Sequence, residues 1–250
     1  MWEASIAPQL ASGGEGNVIV HHRLKCFGVG ESHLEEMLPD LIRRGREPSV
    51  GITVSGATIT LRITARGVGE AECRGAMQPT IDTIHESLGV LVFGEEDDEL
   101  QHAVARLLTQ RNQTLAVVEW GTGGQIVHWL RETSMMDSLL LGGVVVSHSQ
   151  IAAKLLGLPP KTFLTCSPQS AETAEHLAAA GRQQFGADYV LAVSQFPSAD
   201  EPSGDDHIFI ALATESGVTH QSRRFAGHPD ILAVRAAKQC LDLLRLALLE

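Results

Sequence analysis

The stretch LAVVEWGTGGQIVHWL, Leu115 to Leu130, decides the reading of the fold. Its first four residues are apolar and β-prone, Gly121, Thr122, Gly123 and Gly124 interrupt the run, and from Gln125 the apolar positions Ile126, Trp129 and Leu130 recur at helical spacing. This predicts strand, glycine turn, helix. Such a turn presents backbone N–H groups at a helix N-terminus, beside the positive end of the helix dipole, where a phosphate would be welcome. The same residues also read as a tight connection whose glycines merely supply backbone angles. Both readings stay open at this level.

Downstream, strand and helix patterns alternate. Leu139 to Val146 is apolar β material, Gln150 to Leu156 a short helix, Ser170 to Phe185 an alanine-rich helix, and Tyr189 to Val193 a buried strand. His207 to Thr214 and Val218 to Phe225 read as a hairpin, Pro197 to Asp206 as a surface loop, and Ile231 to Leu248 as an amphipathic closing helix. Interleaving of this kind predicts a three-layer α/β/α domain over residues 112–250, with helices on both faces of a sheet.

Upstream, residues 1–21 show no sustained period and contain Gly13, Gly14 and Gly16, which predicts a flexible lead-in carrying His21. Residues 22–111 read as a small α+β unit. LKCFGVG alternates as a strand. Ser32 with Glu35 suggests a capping box for a helix bearing Leu34, Met37, Leu38, Leu41 and Ile42, which Pro39 should bend or split. Val50, Ile52 and Val54, a Ser55-Gly56 turn, then Ile59, Leu61 and Ile63 form the clearest hairpin. A helix with Met77, Ile81, Ile84 and Leu88 on one face follows, then the strand VLVFG, and a helix whose acidic start, Glu95 to Glu99, suits its dipole.

Composition narrows the function. The net charge of −11 opposes non-specific attraction to nucleic acid or to an anionic membrane surface. The dense cluster Arg43, Arg44 and Arg46 reads as a helix C-terminus favoured by its dipole. Four scattered cysteines make neither a Cys-x-x-Cys pair nor a zinc knuckle. They fit idle thiols in a reducing compartment. The N-terminus lacks the basic and apolar regions of a signal peptide, and the run Leu139 to Val146 is far short of a membrane span, so the cytoplasm is the default expectation. The eleven histidines show neither His-x-x-His nor His-Glu-x-x-His spacing, so no metal and no cofactor are expected.

Val118, Glu119, Trp120, Gly121, Thr122, Gly123 and Gly124 resemble the Ala-Glu-Ser-Cys-Thr-Gly-Gly motif opening the C-terminal domain of the CinA (competence/damage-inducible protein A) family, the nicotinamide-nucleotide amidases. GVGES at Gly28 to Ser32, TLRITARG at Thr60 to Gly67 and LGVLVFGEED at Leu88 to Asp97 resemble that family's middle, KH-type domain. KH modules bind single strands through a Gly-x-x-Gly loop, and no such loop with flanking basic residues is evident, so no nucleic-acid partner is expected. The resemblance implies an upstream nucleotide-processing domain, similar to molybdopterin-biosynthesis proteins, which the chain begins too late to include. Whether another chain supplies that domain is left open by the sequence.

By the resemblance, amide hydrolysis would need a serine at Trp120 and, with GGVVVSHSQIAAKLLGL (Gly142 to Leu158) aligned on its Gly and Leu-Gly anchors, a tyrosine at Ser147 and a lysine at Ala152. None is present. Lys154 sits two residues on, about 200° around a helix from Ala152. The Thr-Gly-Ile-Ala-Gly-Pro loop of the family falls on Ser194 to Ala199, keeping only a hydroxyl at its head. In FAGHPDILAVR, Phe225 and Gly227 are kept, but the family's two arginines fall on Pro229 and Ala233.

The expectation is therefore a catalytically silent pseudoenzyme, a nucleotide-binding or assembly module. A nicotinamide nucleotide or phosphate would lie near Glu119, Thr122, Gly123, Gly124 and Ser194, and the family's habit of self-association implies a homo-oligomer. The alternative is an amidohydrolase on nicotinamide mononucleotide or a related amide with altered residues, drawn from Ser147, Ser149, Ser194, Thr122 or Cys166, with His148 as base.

Overall fold

The computed structural model describes residues 17–159, 161–198, 206–226 and 229–250, with backbone alone at 229–230. In it the alternation of Ile59, Leu61 and Ile63 becomes the buried face of β3 (Thr58–Gly67). β3 pairs antiparallel with β2 (Ser49–Ser55) on one side and β1 (Val18–Cys26) on the other. β4 (Val92–Glu95) lies beyond β1, giving the order β2-β3-β1-β4. Gly56 and Ala57 both take positive φ, +52° and +65°, the hand that a two-residue hairpin turn requires. The turn thus sits one residue beyond Ser55-Gly56. Helices α1 (Glu31–Met37) and α2 (Glu70–Leu88) cover this sheet with Leu34, Met77, Ile84 and Leu88.

Three expectations are corrected here. β1 starts at Val18 because the long β3 offers ladder partners back to Gly67, so His21 and His22 are strand residues opposite Thr64 and Ile63. Residues 1–16 lie outside the described residues. Helix α1 begins after Gly30 without a side-chain cap, so Ser32 makes no capping box, and it ends before Pro39. Leu38 and Leu41 are buried from the turns that follow. Arg43 and Arg46 also lie in those turns, Arg43 paired with Asp40 at 2.9 Å and Arg46 donating to Pro48 O and Thr80 Oγ1.

The chain divides after Asp98. Helix α3 (Leu100–Arg111), read from the sequence as part of the first unit, packs in the second against α8 (Pro229–Ala247), because Leu100, Val104 and Leu108 find their apolar partner there. Polar contacts fasten the pair: Lys238 Nζ donates to Glu99 Oε2 at 2.8 Å and Arg111 to Leu248 O.

The second unit holds a five-stranded sheet ordered β6-β5-β7-β8-β9: β5 (Leu115–Glu119), β6 (Leu140–Val145), β7 (Tyr189–Val193), β8 (His207–Thr214) and β9 (Gly217–Arg224). β5 runs parallel to β6 and β7, and β7, β8 and β9 are antiparallel. Every residue of β5 is buried, as a strand covered on both faces must be. Helix α7 (Ala171–Phe185) packs on one face, against Ala116, Val118 and Val190. On the other lie α4 (Gln125–Arg131), α3 and α8, with Ala237, Cys240, Leu241 and Leu244 buried. Two short helices, α5 (Ser149–Leu155) and α6 (Thr162–Thr165), connect β6 to α7. The three-layer α/β/α expectation holds, and α6 is an element the sequence pattern did not indicate.

Candidate functional site

From β5 the chain passes through α4 to β6 on one side, and later through α7 to β7 on the other. The carboxyl end of β5 is thus where strand order reverses, the place where open α/β sheets form a ligand crevice. Glu119 and Trp120 stand there. Backbone bonds extend the ladder past the strand: Trp120 N donates to Val193 O, Gly121 N to Ser194 O, and Val146 N to Glu119 O.

Glu119 is fully buried and turned toward α4. Its Oε2 accepts from Thr122 Oγ1 at 2.6 Å and from the backbone N–H groups of Gly124 and Ile126 at 3.1 Å, while Oε1 accepts from Val127 N at 2.9 Å. The donors expected to meet a phosphate therefore meet an internal carboxylate. Gly123 and Gly124 take positive φ, +62° and +98°, so the turn needs glycine for its backbone angles. Ser194 is fully buried, and its Oγ donates to Gln195 O and accepts from Phe209 N, both at 3.3 Å.

Trp120 points to the opposite face. It is 8% exposed and shares a buried cluster with Val146, Ala152 and Leu156, its ring edge-on to Phe163 with centroids 6.0 Å apart. Phe196 closes the same end of the strand. A Cβ placed on Gly121 would fall 2.1 Å from its ring, and the ring leans on Phe225 at 4.8 Å between centroids. The side chains at this end of the strand are thus indole, phenyl and aliphatic carbon.

Of the alternative catalytic groups, Thr122, Ser147, His148, Ser149 and Ser194 follow the carboxyl ends of β5, β6 and β7, and Cys166 follows α6. Ser147, His148 and Lys154 are exposed, Ala152 is fully buried, and Thr122 spends its hydroxyl on Glu119. Lys154 is exposed, while Ala152, two residues before it on α5, is buried. Ala199 and Gly227 lie outside the described residues, as do the side chain of Pro229 and most of the Pro197 to Asp206 loop. All four cysteines are buried free thiols. Burial pushes Cys26 up to about 12; burial, with the Glu119 charge added, also holds Cys240 well above the ordinary thiol range.

Phe163 and Phe196 carry no periodic signal, since Phe163 sits in a four-residue helix too short to show a period and Phe196 in an irregular connection. In the first unit, Arg23 on the inner strand β1 is paired with acids, Glu96 and Asp97, each at 3.1 Å.

These features define a three-layer α/β/α domain with an aromatic-filled crevice at the switch of strand order, preceded by a four-stranded α+β unit. Family models agree. Residues 21–94 match the damage-inducible protein CinA KH domain and residues 97–248 the CinA C-terminal domain. A CinA-like protein of Frankia casuarinae is 34% identical over 98% of this chain, which spans 58% of that relative's length. Among solved structures, a CinA superfamily protein from Klebsiella pneumoniae superposes on 60% of this chain with a TM-score of 0.56 at 21% identity, covering 96% of itself. A competence/damage-inducible protein from Agrobacterium tumefaciens does so with 0.54 at 23%, over 60% of this chain and 94% of its own. The chain belongs to the CinA family. No described helix is long and apolar enough to cross a membrane.

Proposed function

We propose that this chain is a catalytically silent CinA-like protein that works by assembly rather than by amide hydrolysis. The observation that carries this reading is Trp120, buried against Phe163 and Ala152 at the end of β5. Acyl transfer from an amide needs a nucleophile beside a base and donors aimed at the developing oxyanion. Glu119 takes up the Thr122 hydroxyl and the N–H groups of Gly124, Ile126 and Val127, and the opposite face of the strand end offers carbon. The assembly half rests on β6, an edge strand carrying the exposed apolar side chains Leu141 and Val145. A second copy covering that edge would make a homo-oligomer.

The test incubates the purified chain with nicotinamide mononucleotide and follows ammonia release, with molar mass in solution measured by light scattering. The expected result is no ammonia above the blank and a mass that is a multiple of the monomer, returned to the monomer by Val145→Lys. Sustained turnover would overturn the silent reading. A monomer at micromolar concentration would overturn the assembly reading.

A further inference from the structure

The connection from α6 into α7 brings together three side chains that neither the family resemblance nor the filled crevice explains: Cys166, Glu172 and His176. Their ligating atoms, a thiol sulfur, a carboxylate oxygen and an imidazole nitrogen, all lie within 4.8 Å of one another. We propose that they form a binding site for one divalent transition-metal ion of the zinc class, a site independent of the proposed function.

Local structure holds the donors in place. Glu172 and His176 are one turn apart on α7, so both project from one face of the helix. Cys166 is anchored just before that helix, its Sγ 3.1 Å from Thr162 O and 3.4 Å from Thr173 Oγ1. The loop between is closed by Ser170, whose Oγ donates to Ser167 O at 2.7 Å and accepts from Thr173 N at 3.1 Å. A second observation points to a ligand: Nδ1 of His176 is buried and has no hydrogen-bond partner among the described residues. A buried imidazole nitrogen left bare costs free energy, and a metal ion bound through Nδ1 would relieve it.

The donor set selects the metal. One thiolate, one imidazole and one carboxylate is a borderline-soft set of three, suited to tetrahedral zinc with a fourth position for water, and unsuited to the all-oxygen shells of calcium or magnesium. Bonds of about 2.0–2.3 Å place tetrahedral donors roughly 3.5 Å apart. Glu172 is exposed, so the adjustment that closes the present spacing would fall on its side chain. On binding, the Cys166 S–H bond is replaced by a sulfur–metal bond and the proton passes to solvent. The ion keeps its charge and nothing is oxidised. Its effect would be to clamp α6, which carries Phe163, onto α7.

The experiment uses the full chain with any affinity tag removed and metal stripped by chelator, titrated with Co²⁺ as the spectroscopic probe and then with Zn²⁺. One Co²⁺ per chain is expected, with a near-ultraviolet thiolate-to-cobalt band that Zn²⁺ abolishes. Cys166→Ser should remove that band, and Cys166→Ser and His176→Gln should each weaken binding at least tenfold. Glu172→Gln, at an exposed position that leaves the fold intact, should also weaken it about tenfold. Zn²⁺ should raise the melting temperature of the parent and not of these variants. Absence of stoichiometric binding, or affinity unchanged in Glu172→Gln and His176→Gln, would overturn the proposal.

Discussion

The ring of Trp120 meets that of Phe163 edge to face, 6.0 Å between centroids and 89° between planes, at the carboxyl end of the central strand of an α/β/α layer. The pair links β5 to α6 through a side chain in the position that the family resemblance assigns to a nucleophile. Trp120→Ser would therefore restore a hydroxyl but leave a void beneath Phe163. Unfolding by denaturant should show a loss of about 3–5 kcal/mol, the usual cost of truncating a buried aromatic. Ammonia release from nicotinamide mononucleotide should stay at the blank, because Trp120 packs in the cluster of Val146, Ala152 and Leu156 and against Phe163, and none of these can accept the hydroxyl's proton.

Phe196 seals the same end by resting on Gly121, where even a methyl group would strike its ring. Gly121→Ala should cost about 1–3 kcal/mol through overpacking. In a Phe196→Ala background the same substitution should cost clearly less. Equal costs in both backgrounds, measured as a double-mutant cycle, would show that the two residues do not press on each other.

Glu119 gathers three backbone N–H groups and a hydroxyl in a fully buried setting. Hydrogen bonds to a charged acceptor are worth about 1.5–3 kcal/mol each, and stranded donors carry their own penalty. Glu119→Ala should lower stability by more than about 3 kcal/mol. Amide exchange at Ile126 and Val127 should speed up more than at strand β8, since the lost partner is local.

Asp188 accepts from Thr114 through both the backbone N–H and Oγ1, each at 2.7 Å, and these bonds hold its carboxyl below the ordinary value of 3.8. A depressed carboxylate stabilises the fold fully above its unfolded-state pKa and loses that contribution as pH falls through its folded-state value. Urea midpoints should therefore fall between pH 5 and pH 3 (roughly the window spanning an ordinary carboxylate) by more in the parent than in Asp188→Asn. A drop of the same size in both would remove Asp188 as a contributor.

Much of the architecture was legible before any coordinates. Alternation at Ile59, Leu61 and Ile63 and the glycine break after Glu119 are local patterns, and local patterns survive folding when the buried face has only one place to go. The boundary between units was harder. Leu100, Val104 and Leu108 declare an apolar helix face but not its partner, and that partner, α8, lies more than a hundred residues away along the chain. Likewise His21 and His22 gave no periodic signal of strand, and the length of β3 recruited them.

The site divides the same way. Sequence by itself determined that Trp120, Ser147 and Ala152 stand where the resemblance requires serine, tyrosine and lysine, and that Lys154 would point elsewhere, because residue identity and helical phase are properties of the chain alone. Tertiary structure alone decided that Glu119 accepts from Thr122, Gly124, Ile126 and Val127, that Phe163 packs on Trp120 and Phe196 on Gly121, and that Cys166 meets Glu172 and His176. Those are facts about which groups compete for the same few ångströms, and that competition exists only once strands from distant parts of the chain lie side by side.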